Sequence, residues 1–366
     1  MSSKKDKSRN LDKQFMSIAM NLAADRIGLT GLNPSVGCLI VKNNKILSFG
    51  QTGFNGRPHA ETVAIRKCKK NELLGSSIYI TMEPCTHYGK TPPCTNQIIK
   101  SKIKRVIYSI NDVDIRTSNK ANSVLKLKKI KVTKGILKLE GMKLYNNYLN
   151  HKKKNKPFVA AKIACSSDYY TTSKNKLITN IHSRNVSHYL RYKFDSILVS
   201  SKTINADNSK LTCRLNGLKN HSPKRLILDR NLKINRNSHV INDNNKKNTI
   251  IFHASKDKEK IKFFTLKGIK LIHADLDTNN NIDLNKVFLK VYNMGIGSII
   301  IEGGKILTKS ALRYKLINEF YLFKSKYKLG NSGKNNISDL KNKIHFLKKK
   351  ENIETFLDGD KITRYY

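Results

Sequence analysis

The residues able to do chemistry concentrate between Pro58 and Cys94. That stretch opens Pro-His-Ala-Glu and closes Glu-Pro-Cys-Thr-His-Tyr-Gly-Lys-Thr-Pro-Pro-Cys. His59, Cys85 and Cys94 offer one imidazole and two thiolates, a borderline-soft set that suits tetrahedral zinc and leaves its fourth position free. Glu61, two residues beyond His59, is not needed as a ligand. It is therefore available to move protons between water and a substrate nitrogen. The competing reading is a helix-start histidine with two buried thiols, since free cysteine packs as a small hydrophobe. The order of His-x-Glu and Glu-Pro-Cys, each at an element terminus, favours the metal.

The arrangement resembles that of zinc deaminases, with one difference in spacing. Nucleoside and nucleic-acid deaminases carry Pro-Cys-x-x-Cys, whereas eight residues separate Cys85 from Cys94 here. The longer loop brings His87, Gly89, Lys90 and two prolines beside the metal, and its polar and cationic groups suit a phosphorylated substrate.

Elements of helical and strand period must hold these residues. Gln14 to Ile27 reads as a helix, and residues 36–41 and 46–49 as a hairpin. Asn33, held by Pro34 at the strand entrance, could present its amide to a pyrimidine edge or could be a plain turn residue. Pro58 and the series Ala60, Val63, Ala64 start a helix that projects His59 and Glu61 from its N-terminal end. Strands follow at 77–82, 104–110 and 130–133, with helices at 94–101, 122–129 and 136–150. Residues 1–13 read as a basic tail, 14–150 as a first α/β domain and the charge run 151–157, closed by proline, as a linker.

The pattern then restarts over 158–366. Strands are expected at 158–164, 196–200, 225–229, 249–253, 270–273 and 298–301, with helices at 181–193 and 284–293. In Gly297-Ser-Ile-Ile-Ile-Glu-Gly-Gly-Lys-Ile-Leu307 a buried strand delivers Glu302. Gly303 and Gly304 then let the backbone approach a ligand before a helix begins near Lys305, whose free amides could hold a phosphate. As a plain strand-to-helix turn the same residues need no ligand.

A chain of 366 residues suggests two domains, each with its own core. Six cysteines are too sparse for a disulfide scaffold, which points to a reducing cytoplasm. No apolar run suits a membrane span or a signal peptide. The net charge of +45 would point to nucleic acid, but the lysines are scattered over both halves beside abundant Asn and Ile. That mixture fits an AT-rich coding sequence better than a dedicated RNA surface.

With these motifs assembled, the sequence resembles the bifunctional deaminase/reductase family of riboflavin biosynthesis. Asn33-Pro-Ser-Val-Gly-Cys, the His59 motif and the Cys85 to Cys94 loop carry the likeness in the first half. In the second half it is carried by Ala161-Lys-Ile-Ala-Cys-Ser-Ser-Asp168, Ile197-Leu-Val-Ser-Ser-Lys-Thr203, Ala206-Asp-Asn-Ser-Lys-Leu-Thr-Cys-Arg214, Leu226-Ile-Leu-Asp229 and Ile301-Glu-Gly-Gly304. The resemblance implies a cytidine-deaminase-like α/β/α sandwich followed by a dihydrofolate-reductase-like α/β domain. It implies zinc-dependent deamination of a phosphorylated ribosylaminopyrimidine and then NADPH-dependent reduction of the ribosyl group to ribityl.

By motif, Cys165, Leu177, Thr203, Asp207, Arg230, Gly304, Lys305, Ile306 and Leu307 match NADP-contacting positions. Asn33, Asn175, Arg191, Leu211, Arg214 and Glu302 match substrate positions, and the arginines suit a phosphate. The implied partners are a small phosphorylated pyrimidine and, as an open expectation, a second copy of the chain, with no specific nucleic acid and no membrane. The chain departs from the family at Asn111-Asp-Val-Asp-Ile-Arg116, where the family has Asp-Pro-Asn-Pro, and at Tyr169-Tyr170, where it has Gly-Arg. The family's Ser-x-Trp gives way to Asn175-Lys-Leu177. A monofunctional deaminase with a degenerate second half, and a zinc deaminase acting on RNA, are the rival expectations.

Overall fold

A computed structural model describes residues 2–173 and 177–366. The chain divides into two compact units, Met1–Asn155 and Lys156–Tyr366.

The first unit runs α1 (Ser2–Asp25), β1 (Gly37–Lys42), β2 (Lys45–Gln51), α2 (Ala60–Arg66), α3 (Lys70–Leu73), β3 (Ser77–Met82), α4 (Cys94–Lys100), β4 (Arg105–Ile110), α5 (Ala121–Leu127), β5 (Lys131–Lys134), α6 (Lys138–Leu144) and α7 (Asn146–Lys154). Its sheet has the order β2-β1-β3-β4-β5, with β1 antiparallel to both neighbours and β3, β4 and β5 parallel. Successive strand residues point to opposite faces, and both faces are covered. Phe15, Met16, Ala19 and Met20 of α1 pack on Leu39, Val41 and Tyr79. Ala60 and Ala64 of α2 and Ile98 of α4 pack on Cys38, Ile40, Ile78 and Ile80.

Three boundaries differ from the sequence expectations. Helix α1 begins at Ser2, so residues expected as a tail are helical. Asp12, within that stretch, is 4 % exposed and accepts two hydrogen bonds from Arg105, at 2.9 and 2.6 Å, and one from Tyr79 at 2.7 Å. A buried carboxylate with three donors fixes the helix to the sheet. The helix expected over 136–150 breaks at Tyr145, whose hydroxyl is drawn inward to Thr81 and the Ser35 carbonyl. The expected linker is helical as far as Lys154, and α7 closes on Asn155 in the left-handed conformation (φ 52°).

The second unit runs β6 (Phe158–Cys165), β7 (Tyr170–Ser173), α8 (Ile181–Lys193), β8 (Ser196–Ser200), α9 (Ser201–Asp207), β9 (Lys224–Leu228), α10 (His239–Asn242), β10 (Thr249–His253), α11 (Lys258–Leu266), β11 (Lys270–His273), α12 (Leu284–Asn293), β12 (Ser298–Ile301), α13 (Lys305–Arg313), β13 (Glu319–Lys324), β14 (Gly333–Asn336), β15 (Lys350–Asn352) and β16 (Lys361–Tyr365). Nine strands form one sheet, β11-β10-β9-β8-β12-β6-β13-β16-β15, parallel from β11 to β13, with β16 antiparallel to β13 and β15 antiparallel to β16. β7 and β14 pair separately. Asn180, Asp257 and Asp283 cap the first turns of α8, α11 and α12 with their side chains.

After β8 the chain moves outward to β9, and after β12 it moves the other way, past β6 to β13. Loops that diverge in this way open a crevice at the carboxyl ends of the strands, where α/β sheets bind ligands.

Candidate active sites

His59 caps the first turn of α2 in extended conformation, Glu61 sits in that turn, Cys94 opens α4, and Cys85 follows the end of β3. The His59 Nδ1 atom lies 3.2 Å from Cys94 Sγ and 3.6 Å from Cys85 Sγ, and the three ligand atoms fall within 4.8 Å of one another. Tetrahedral zinc, with Zn–S near 2.3 Å and Zn–N near 2.0 Å, has donor-to-donor edges of about 3.5–3.8 Å, so the set fits the ion. The Cys94 backbone N–H donates to Cys85 Sγ at 3.2 Å. The hydrogen bond between the two sulfurs lowers Cys85 and raises Cys94. One thiolate is thus ready to bind a cation. Glu61 is 4 % exposed, and burial lifts its carboxyl above the usual range while His59 opposes the lift. A carboxyl so raised can hold a proton as well as release it.

Flanking loops close around this centre. Glu83, 4 % exposed, accepts the backbone N–H groups of Asp112 (3.3 Å), Asn119 (3.0 Å) and Ala121 (3.0 Å), which ties the segment after β4 to the strand that delivers Cys85. His87 meets Thr117 at 3.0 Å, and Arg57 donates to Thr91. Asn33 is exposed and lies against Gly56, where φ is +85° and an added Cβ would fall 2.1 Å from Asn33 Nδ2. The glycine lets Asn33 approach the turn that leads into His59. Glu83 went unremarked as a separate residue in the sequence; an acid fixed between a buried strand and Pro84 was the available signal.

In the second unit Glu302 follows β12 and receives both ends of the Arg191 fork, Nε to Oε1 at 2.7 Å and Nη2 to Oε2 at 2.8 Å. Burial pushes this carboxyl up, but Arg191 overrides it and the net shift is down to about 2. Lys162 of β6 lies 4.0 Å from Glu302 and above the Phe323 ring, and burial pulls its ammonium below the usual range. A lysine inside the apolar run Phe-Val-Ala-Ala-Lys-Ile-Ala-Cys was the sequence signal for this third member. Because Arg191 is committed to Glu302, the exposed Arg214 is the better placed of the two arginines to meet an anion. Leu211 is buried with φ +54°.

The cofactor candidates follow the carboxyl ends of neighbouring strands: Cys165 at β6, Gly304 after β12, Thr203 after β8 and Arg230 after β9. Asp207 closes α9, its carboxyl raised by burial, and Arg230 donates to the Asn280 carbonyl. Gly303 and Gly304 differ in what they require. An added Cβ on Gly303 would meet the Leu307 side chain at 2.7 Å, whereas one on Gly304 meets nothing within 4 Å. The chain's own packing demands the first glycine only. Cys165 and Leu307 are buried in the same apolar core, which leaves their backbones as the parts able to touch a ligand. Lys305 is bound to the Asn336 carbonyl and to Asp339 at 2.9 Å, while Leu177 and Ile306 are exposed. Asn175 lies outside the described residues.

Residues 9–110 match the cytidine and deoxycytidylate deaminase zinc-binding region, and residues 157–358 match the RibD C-terminal domain. The riboflavin biosynthesis protein RibD of Aquifex aeolicus is 31% identical over 318 residues, covering 86% of this chain and 87% of its own. That of Bacillus amyloliquefaciens is 32% identical over 317 residues, covering 86% and 84%. Among solved structures, RibD of Acinetobacter baumannii superposes with a TM-score of 0.82 at 25% identity, covering 98% of this chain and 99% of that one. A diaminohydroxyphosphoribosylaminopyrimidine deaminase/5-amino-6-(5-phosphoribosylamino)uracil reductase from Thermotoga maritima gives 0.79 at 28% identity with the same coverage.

Proposed function

Since the chain belongs to the RibD family of riboflavin biosynthesis proteins, a bifunctional zinc-dependent deaminase and NADPH-dependent reductase, we propose how its own residues divide the two reactions. The first unit takes diaminohydroxyphosphoribosylaminopyrimidine and exchanges an exocyclic amino group for oxygen from water, releasing ammonia. His59, Cys85 and Cys94 hold the zinc, which when bound supplies a Lewis acid that makes water nucleophilic near neutral pH. Glu61 takes the proton from that water and returns it to nitrogen, a role supported by its burial and raised carboxyl. Asn33 and the loop from His87 to Lys90 bind the pyrimidine and its phosphate.

The second unit takes the product, 5-amino-6-(5-phosphoribosylamino)uracil. When bound, NADPH would supply a hydride to the sugar carbon; the bond from that carbon to the sugar oxygen opens, and the oxygen needs a proton. Lys162, softened by burial beside Glu302, supports a reading as the proton donor. Arg214 reads the phosphate, while the turn at Gly304, with Thr203, Asp207 and Arg230, holds the cofactor. The reducing cytoplasm is the proposed location, in keeping with six cysteines of which none forms a disulfide; among the described residues no helix is long and apolar enough to cross a membrane.

The convergence of His59, Cys85 and Cys94 within 4.8 Å beside buried Glu61 carries the deaminase reading. Glu61→Gln keeps the shape but cannot shuttle a proton, so deamination should fall by about 100-fold or more with zinc content unchanged. Turnover near that of the unaltered enzyme would assign the proton transfer elsewhere.

A further inference from the structure

Helix α8 carries a histidine that neither the zinc centre nor the Glu302 cluster accounts for. His188 sits one turn before Arg191, and its Nδ1 lies 3.1 Å from the backbone carbonyl of Thr212. Arg191 Nη1 donates to the same carbonyl at 3.2 Å. A carbonyl can only accept, so Nδ1 carries the hydrogen. Burial pushes the imidazole down to about 4, and Arg191 and Arg214 push the same way against the Thr212 carbonyl and Glu302. Its tautomer is thereby fixed, with Nδ1–H spent on Thr212.

The segment that receives these two donors needs outside support. It leaves α9 through Asn208 at φ 43° and passes through Leu211 at φ 54° before reaching Arg214. A leucine in the left-handed region is strained and stays there only where its surroundings hold it. Leu211 is buried in the same apolar cluster as Leu190 of α8, and the Cys213 N–H donates to Ser222 Oγ at 3.1 Å. The Thr212 carbonyl between them is where α8 reaches across. Arg191, anchored on Glu302 through Nε and Nη2, supplies one donor to it and His188 supplies the second.

We propose that His188 is a positioning residue of the reductase: its Nδ1–H, paired with Arg191 on the Thr212 carbonyl, holds the Leu211 to Arg214 segment in the shape that receives the phosphorylated substrate. This rests on the reductase reading of the second unit. Without the imidazole donor the carbonyl loses one of its two partners and the segment carrying Arg214 is released, which weakens substrate binding and leaves hydride transfer from bound NADPH untouched.

Steady-state reduction of 5-amino-6-(5-phosphoribosylamino)uracil by the full chain tests this. His188→Leu should raise the KM for this substrate about tenfold, the size of one lost hydrogen bond, with kcat and the KM for NADPH changed by less than about threefold. His188→Asn places an amide N–H where Nδ1–H was and should restore the KM, whereas His188→Gln carries its amide one bond further and should behave as Leu. If the leucine variant fails to fold, the two amide variants decide the matter between them. A substrate KM unchanged in the leucine and glutamine variants, or an asparagine variant as impaired as glutamine, would overturn the role. Absence of reduction by the unaltered enzyme would instead fail the reductase assignment itself.

Discussion

Gly304 separates what the fold needs from what a ligand needs. Its φ of −65° suits any residue, and an added Cβ meets nothing in the chain, so Gly304→Val should fold normally. If the turn holds the cofactor, the branched side chain fills the space the cofactor must enter. NADPH titration should then show binding lost with deamination retained; retained NADPH binding would move the cofactor elsewhere. That His59, Cys85 and Cys94 would cluster was legible from residue type and order alone, because only a few donor sets suit zinc. Arg191 was expected to meet substrate, and its pairing with Glu302 was not foreseen. That its fork is spent on Glu302 depends on two elements more than a hundred positions apart in sequence, which no local pattern reports. His188 was missed for the same reason, whereas Lys162 did carry a local signal, a lysine within an apolar strand, that went unread.

At the scale of elements, the candidate deaminase site depends on how the segment after β4 is held. Glu83 presents one carboxylate to three backbone N–H groups from residues 112–121. Glu83→Gln keeps the length but turns an N–H₂ toward donors, so at least one bond is lost. The first unit should lose about 2 kcal/mol and its thermal midpoint should drop by roughly 5 °C, with zinc still bound. An unchanged midpoint would show the segment to be held by other contacts.

Most interior strands of both sheets were readable from their apolar runs; β13, Glu-Phe-Tyr-Leu-Phe-Lys, was overlooked although it is buried between β6 and β16. The tail was misread and the helical part of the linker was not foreseen, because a lysine-rich surface helix and a lysine-rich coil have similar composition, although the boundary between the units falls inside the expected linker, at Asn155–Lys156. What fixes α1 is the pairing of Asp12 with Arg105, a contact formed only after folding. β15, Lys-Glu-Asn, escaped for a related reason: it is exposed throughout and has no apolar alternation to reveal it.

For the molecule as a whole, acid should weaken the second unit through Glu302. Its carboxyl ionises near 2 in the folded chain and near 4.5 in a free one. The folded form therefore binds fewer protons in that window, so its stabilising effect is complete above about 4.5 and is lost as the pH falls toward 2. In urea unfolding followed at a series of acidic pH values, Glu302→Gln should flatten that part of the profile; an unchanged slope would assign the acid sensitivity to other carboxylates. The high positive charge gives general affinity for polyanions and has no separate catalytic task in this account. As a bifunctional deaminase and reductase, one chain performs two reactions in turn on one phosphorylated pyrimidine. Incubating the zinc-loaded protein with diaminohydroxyphosphoribosylaminopyrimidine, with and without NADPH, and identifying the products tests it most directly. Without NADPH the product should be the deaminated ribosyl compound, and with NADPH the deaminated ribityl compound with matching cofactor oxidation. A deaminated product that stays ribosyl while NADPH is present, or a starting compound returned unchanged, would contradict it.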